Sequence, residues 1–537
     1  MSPASVRKLW RSGEPFIWLT GGALALALIM VAGLIGIILA NALGFFWPAE
    51  IVRLTLRDGG SLAGSVVERE RIPGADGTYR IKLKVANRDL YGADFVWVDE
   101  ADITGRTRPA DVAVIERTEW GLLIGTITAL REGDRVIATG PAAWEEVRSR
   151  LPGVARLRTE IRRLERSDIG AINYQQERVR LDLRGLELRG VTDGPEVEAL
   201  RARMALLQER YQEQAARLAE LRGRETASLV VTAEGGKDKV LPLAQVLDVY
   251  FPNRMGVAAK SGHYVAKVWE FVADDPRESN TEGGVFPAIF GTVMMVLIMS
   301  ILVTPLGVLA AFYLREYARQ GTFVSAVRIA VNNLAGVPSI VFGVFGVGFF
   351  IYFVGGTIDQ LFFAEALPTP TFGTGGILWA SLTLALLTIP VVIVATEEGL
   401  AAIPRGTREA SLALGATKLE TTLRVVFPAV MPSILTGLIL AMARAAGEVA
   451  PLMITGVVKL APALPVDTTW PFLHLDRKFM HLGFHIYDVG FQSPNVDAAR
   501  PMVFTTTLLL LTIVVLLNLF AISMRNRLRR KYATAAV

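Results

Sequence analysis

Residues 408–428 read Arg-Glu-Ala-Ser-Leu-Ala-Leu-Gly-Ala-Thr-Lys-Leu-Glu-Thr-Thr-Leu-Arg-Val-Val-Phe-Pro. Ala410 and Ser411 are small, so a short helix carrying them lets another protein approach closely. Gly415 permits a tight turn between two short helices. Pro428 opens the helix that follows, because a proline suits a first turn. This polar stretch separates two long apolar runs, one between Glu365 and Glu397 and one from Val425 to Val458. The loop and its flanks decide the fold class: a polar knob between membrane-length helices.

Working outward, the chain has 537 residues, 52% hydrophobic and 20% charged. That is too apolar for an ordinary soluble protein and too charged for a chain that is all membrane. A bilayer span needs ~20 apolar residues. Besides the two runs above, four more stretches approach that standard: Phe16–Ala40, the run from Glu282 to Arg315, the run from Arg328 to Asp359, and Pro501–Met524. Arg444 and Glu448 are the charges inside the fifth run. The first stretch follows Arg7, Lys8 and Arg11, and Ala40-Asn41-Ala42 resembles a cleavage site. Its apolar core exceeds that of a signal peptide, so it reads as an uncleaved anchor.

Positive charge sets the expected orientation. Arg315, Arg319 and Arg328 follow span two, and Arg405, Arg408, Lys418 and Arg424 follow span four. Arg525, Arg527, Arg529, Arg530 and Lys531 fill the tail. With the N-terminal cluster, these alternate along six spans, which makes both termini cytoplasmic. The formal charge of +5 is therefore largely topology, and nucleic-acid binding is not expected. The chain has no cysteine, which excludes disulfides, thiolate catalysis and Cys-type metal sites.

Residues 50–284 then fall outside the cytoplasm. Residues 51–140 alternate like strands at Ile51–Leu56, Tyr79–Val85, Phe95–Val98 and Val136–Ala138, with turns at Asp58-Gly59-Gly60 and Ala75-Asp76-Gly77. Residues 143–224 read as an antiparallel helical hairpin. Val197, Leu200, Met204, Leu207, Tyr211, Gln214, Leu218 and Leu221 form a heptad seam. An upstream seam of Val154, Leu157, Ile161 and Leu164 changes phase near Gly170. Residues 227–271 return to a strand pattern at Ser228–Thr232 and Val246–Tyr250. The arm is expected either to dock a partner outside the membrane or to pack on itself.

The loop resembles the signature of ABC importer permeases: Glu-Ala-Ala, three residues, Gly, nine residues, then Ile-x-Leu-Pro. Glu409, Ala410, Gly415 and Pro428 stand at its offsets, while Ser411, Val425 and Phe427 depart mildly. Residues 283–525 are similar to the PstA-type permease subunits of bacterial phosphate ABC importers. That likeness is carried by Gly283–Pro287, Val337–Gly343, Thr396–Leu400 and Ala443–Leu452, where Val449 replaces a Thr. It implies an α-helical membrane protein with six transmembrane helices of importer-permease type, plus a mixed α+β extracytoplasmic domain. The division expected is 1–49 for the N-terminus and first helix, 50–284 for the outer domain, 285–525 for a five-helix core with coupling loop 397–428, and 526–537 for a basic tail. The outer domain divides into strand-rich 51–140, hairpin 143–224 and strand-rich 227–271.

The resemblance further implies that Glu409, Ala410, Ser411, Gly415 and Pro428 meet an ATPase. No G-x-x-x-x-G-K-[ST] loop occurs, so ATP would be hydrolysed by a separate subunit and no cofactor is bound directly. The implied partners are a second permease subunit (PstC-like), cytoplasmic ATPase subunits (PstB-like), a phosphate-binding protein outside the membrane (PstS-like) and the inner-membrane bilayer. No catalytic residue and no metal are expected.

Arg444 and Glu448 are four apart, which would put them on one helix face. Each costs ~2.5–3.5 kcal/mol at a bilayer centre, so a role on the substrate pathway is expected over mere neutral insertion. Arg suits phosphate because its planar fork donates two parallel hydrogen bonds. Gly447 and Pro451 weaken the helix there. His474, His481 and His485 lack a clear fourth zinc ligand, and packing is the expected role. Asn332 and Asn333 would line the path or bond a neighbouring helix. Rival readings are a permease for another oxyanion, or a membrane-anchored sensor or scaffold acting through its outer domain.

Overall fold

The computed structural model describes residues 13–74, 77–277, 280–493 and 495–533. Arg7, Lys8, Arg11, the turn residues Ala75 and Asp76, and the side chains of Arg529, Arg530 and Lys531 lie outside them. The first helix, α1, is Glu14–Leu43. Its only buried side chains among those described are Ile38 and Ala42, set against the last helix of the chain, where Thr505 donates to the Ala42 carbonyl.

Two antiparallel sheets follow. β1 (Ile51–Leu56), β2 (Ser61–Arg71), β3 (Tyr79–Lys84), β4 (Phe95–Asp99) and β5 (Ile103–Thr107) make one, in the order β4-β3-β2-β1-β5. β6 (Val112–Arg117), β7 (Leu123–Glu132) and β8 (Arg135–Thr139) begin the second. Between the sheets Arg117 is fully buried and bonds Asp89 through both terminal nitrogens, at 2.9 and 3.2 Å. Such a buried charge is tolerated because the fork is matched and its remaining N–H groups reach the Gly121 and Trp120 carbonyls.

Helix α2 (Gly140–Arg163), a wider π-type turn at Leu164–Ile169 and α3 (Gly170–Leu188) form one rod, and α4 (Pro195–Gly223) returns beside it. Arg222–Glu165 at 2.6 Å, Arg217–Glu160 at 3.4 Å and Gln176–Gln208 at 3.3 Å pair the rods antiparallel. The wide turn falls where the seam changes phase, because one extra residue per turn rotates the apolar stripe back into register. Val197, Leu207 and Leu221 are buried, and the rest of the heptad seam is half-buried. The arm does not stand free. Tyr174 donates to the Trp470 carbonyl at 3.0 Å, in the loop between spans five and six.

β9 (Ala227–Ala233), β10 (Lys237–Pro242) and β11 (Val246–Tyr250) complete the second sheet, ordered β10-β9-β7-β6-β11 with β8 also on β7. α2 covers its face, burying Ala143, Val147 and Val154 against Leu130, Leu229 and Leu243. One expectation fails here. The strand pattern assigned to 227–271 stops at Tyr250, and Val257–Ala273 is a helix, α5. Its four valines favour strands locally, but its inward residues recur at helical spacing and pack as one stripe.

The remaining α-helices longer than four residues are α6 (Phe286–Phe312), α7 (Thr322–Leu334), α8 (Ser339–Phe345), α9 (Gly356–Phe362), α10 (Ile377–Ala402), α11 (Arg405–Ala413), α12 (Phe427–Gly447), α13 (Ala450–Thr455), α14 (Leu482–Tyr487) and α15 (Val496–Ala533). π-type turns continue α6 to Tyr317 and join α8 to α9. Among the described residues six stretches are long and apolar enough to cross a membrane: Phe16–Leu43, Phe286–Tyr317, Ser339–Phe362, Ile377–Ala402, Lys418–Gly447 and Val496–Arg527. α10 is central. Met295, Met299 and Val303 of α6 and Val430, Ile434 and Met442 of α12 meet Leu384, Val392 and Leu400 on it. A Cβ on Gly399 would lie 2.4 Å from the Ser433 Cβ, so α10 and α12 touch backbone to side chain there.

The fifth span is shorter than the run Val425–Val458. The helix ends at Gly447, and Glu448 adopts extended angles, φ −79° and ψ 136°. Pro451 has no N–H to bond the Gly447 carbonyl, which is what ends it.

Candidate functional site

Arg444 lies in the last turn of α12, and Glu448 is the first residue beyond it. Their closest approach is 3.5 Å, Nε to Oε1. The pair forms, but not on one continuous helix face as the four-residue spacing implied. Glu448 reaches back from a break. Two contacts hold that break in place. A Cβ on Gly343 of α8 would stand 2.7 Å from the Pro451 Cα, and one on Gly483 of α14 would stand 2.7 Å from Val449 Cγ2. α13 and Val449 are thus wedged between α8 and α14, so the pair sits at a fixed interruption of an otherwise apolar rod. Half-helix ends of this kind aim charged groups and backbone dipoles at one point.

At the far end of the same span, α11, a turn at Leu414–Ala416 and one helical turn at Lys418–Thr421 form the knob. Gly415 has φ +87°, the left-handed region a glycine enters without strain. Thr417 accepts from the Glu420 amide while the Glu420 carboxylate accepts from the Thr417 amide, a reciprocal cap. Ser411 and Thr421 share a 2.9 Å hydrogen bond that ties the two short helices together. Arg408 fastens the knob to the spans, donating to Glu316 at 2.9 Å and to the Leu400 and Ile403 carbonyls at 2.8 Å. Arg328 and Glu397 pair at 3.1 Å beside it.

Glu409, Ala410 and Gly415 are exposed, while Ser411 and Pro428 are half-buried. Sequence reasoning weighed only the small residues. The structure adds an apolar surface, with Leu414 89% exposed and Leu412, Leu419 and Leu423 exposed around it. The signal was present: these leucines interrupt a stretch otherwise made of charged, small and hydroxyl side chains.

Among the other candidates, His474 bonds Asp467 at 3.0 Å. His481 and His485 are buried in and beside α14, where His481 Nδ1 accepts from the Gly483 amide. Asn332 and Asn333 are exposed near the end of α7.

A second charged centre had no sequence signal. A cavity of about 240 Å³ lies where the second sheet meets α5 and the ends of α1 and α15. Lys267 reaches Glu116 and Glu270 at 2.8 Å and Asp248 at 3.3 Å. Glu116, Asp248 and His263 offer ligand atoms within 4.8 Å of one another, but the Lys267 ammonium already serves as their cation. Burial pushes the Glu116 carboxyl up. Burial also pulls Lys267 down, but its three carboxylates outweigh that and hold it charged.

Residues 303–533, from the middle of α6 into α15, match the family described as "Binding-protein-dependent transport system inner membrane component". Over 172 residues the chain is 39% identical to the phosphate transport system permease protein PstA of Mycobacterium leprae (strain TN), covering 32% of this chain and 51% of that protein. It is 29% identical over 235 residues to the probable ABC transporter permease protein YqgI of Bacillus subtilis (strain 168), covering 43% and 74%. A chain of the MetNI methionine ABC transporter is similar at 18% identity and a TM-score of 0.33, covering 49% of this chain and 98% of that one. The chain spans about half the length of the PstA protein it matches. Residues 303–533 are thus similar to components of this permease family, and six helices among the described residues are long and apolar enough to cross a membrane.

Proposed function

We propose that the chain is one of two membrane subunits of an ATP-driven importer that moves inorganic phosphate into the cytoplasm. The Arg444–Glu448 pair carries this reading. A guanidinium at a helix break can donate two parallel hydrogen bonds to an oxyanion. The carboxylate beside it keeps the empty path from trapping that anion, because the two compete for the same donors. Alternating access would move the ion past this point. Likeness to a PstA protein supports phosphate as the anion.

In this reading Glu409, Ala410, Ser411, Gly415 and Pro428 couple the chain to a separate ATPase, with the exposed leucines widening the contact. The remaining partners are a second permease subunit and a binding protein outside the membrane. Both termini face the cytoplasm and residues 50–284 face outward.

The test is ATP-driven uptake in proteoliposomes holding the assembled transporter. Phosphate should accumulate, and unlabelled sulfate or molybdate in excess should leave its uptake unchanged. Accumulation of sulfate or molybdate in place of phosphate would move the assignment to another oxyanion. Uptake of none of them by an assembled, ATP-hydrolysing complex would refute it.

A further inference from the structure

α5 has its polarity inside out. His263, Lys267 and Glu270 turn toward the sheet and the cavity, where Lys267 is held by Glu116, Asp248 and Glu270. The opposite side presents Ala258, Gly262, Val265, Ala266, Trp269 and Ala273, all exposed. Val265 is 67% and Trp269 71% exposed. No Asp, Glu, Lys or Arg interrupts that face. A helix in water turns its charges outward. Here 17 residues, roughly 25 Å of helix, do the reverse.

The level of α5 along the spans is fixed at its C-terminal end. Phe46 and Trp47, just past α1, stand against Tyr264 at 6.3 and 6.2 Å between ring centroids, and Phe46 meets Phe271 at 5.3 Å. The Val285 amide donates to the Phe271 carbonyl at 2.8 Å, and the Phe286 amide to the Asp274 carbonyl at 3.1 Å. The last turn of α5 is therefore hydrogen-bonded to the first turn of α6. It lies level with the ends of two spans, in a zone where tryptophan and tyrosine gather at the bilayer boundary.

We propose that α5 is a membrane-surface helix whose Val265–Trp269 face sits in lipid at the boundary of the leaflet on the domain side. Its charged face points into protein instead of water, so the second sheet is seated on the bilayer through the Lys267 cluster. An amphipathic helix with an apolar outward face and an aromatic anchor binds such a boundary. A neighbouring protein covering the same face is the competing occupant.

The cysteine-free chain makes the test direct. Val265→Cys and Trp269→Cys, each carrying a nitroxide, are reconstituted in the assembled transporter in phosphatidylethanolamine–phosphatidylglycerol liposomes. Glu213→Cys on the exposed side of α4 serves as the aqueous reference. Collision broadening by a water-soluble nickel chelate should be lost at 265 and 269 relative to 213, while broadening by oxygen rises. Nickel broadening equal to that at 213 would overturn the proposal. Protection from both reagents would overturn it too, because protein would then cover the face. Ala266→Cys supplies a third position if either larger replacement fails to assemble.

Discussion

Lys82 of β3 reaches 2.7 Å to Asp497 in the first turn of α15, joining residues 415 apart in the chain. The lysine is buried, with its ammonium over the rings of Phe95 and Trp97 at 5.1 and 5.6 Å. The first sheet is thus fastened to the last span.

Lys82→Met should loosen that fastening without affecting insertion. Asp497 is half exposed and keeps water as a partner, so the expected loss is only about 1 kcal/mol of local stability. Native-state hydrogen exchange of β3 and β4 measures it. Unchanged exchange there would mean the pair contributes nothing.

Gly415→Asp should abolish ATP-driven uptake while protein level stays near wild type. Among the described residues, nothing beyond its two chain neighbours lies within 4 Å of a Cβ placed there. The side chain would project into the docking space, and φ +87° adds about 1 kcal/mol of backbone strain. A cysteine at Ala410 should cross-link to the ATPase. No cross-link in a confirmed complex would remove the coupling role.

Arg444→Lys should impair transport although charge is kept, since lysine lacks the planar fork. Glu448→Gln should impair it by freeing Arg444 to hold the anion. The double replacement by leucine separates pathway from insertion, because both burial penalties vanish together. Normal phosphate uptake by that double variant, at matched protein level, would eliminate the pathway role.

Acid should destabilise the packing around α14. Burial pushes the imidazoles of His481 and His485 down to about 3 and about 4. The unfolded imidazole, near 6.5, takes up a proton that the folded one refuses. Stability is therefore full above about pH 6.5 and falls as pH drops toward the folded values, by about 2 kcal/mol per residue at pH 5. Thermal unfolding in detergent should shift downward between pH 7.5 and pH 5, and less so in His481→Asn. A pH-independent transition would contradict this.

A reporter active only in the cytoplasm, fused after Asp102, should stay silent. The charge asymmetry of the span flanks is the reason. Strong activity would invert the whole topology.

The spans were legible because ~20 uncharged residues admit few other readings. The knob was legible through Gly415, whose left-handed conformation few other residues adopt. The heptad seam from Val197 to Leu221 was legible because its period excludes a strand. α5 was not: Val257, Val265, Val268 and Val272 favour strands locally, and the stretch follows directly on a real strand, β11. The Lys267 cluster was equally hidden. Glu116, Asp248 and Lys267 come from β6, β11 and α5, and only the tertiary fold unites them. The placement of Glu448 was half-read. Gly447 and Pro451 announced a weak point, but the four-residue spacing drew the pair onto a helix that had already ended.

The hairpin leaves the second sheet from β8 and re-enters at β9, and both strands pair with β7: Ala129 faces Thr139 on one side and Val230 on the other. The arm's two roots are thus roughly 10 Å apart, two strand spacings, and both are pinned to one strand that the arm does not contribute. To the rest of the sheet, everything between them is a single handle on a fixed socket. A handle of different length, or a short bridging turn, could be fitted to that socket without changing the register of any other strand, which makes this the natural point for exchanging modules in the molecule.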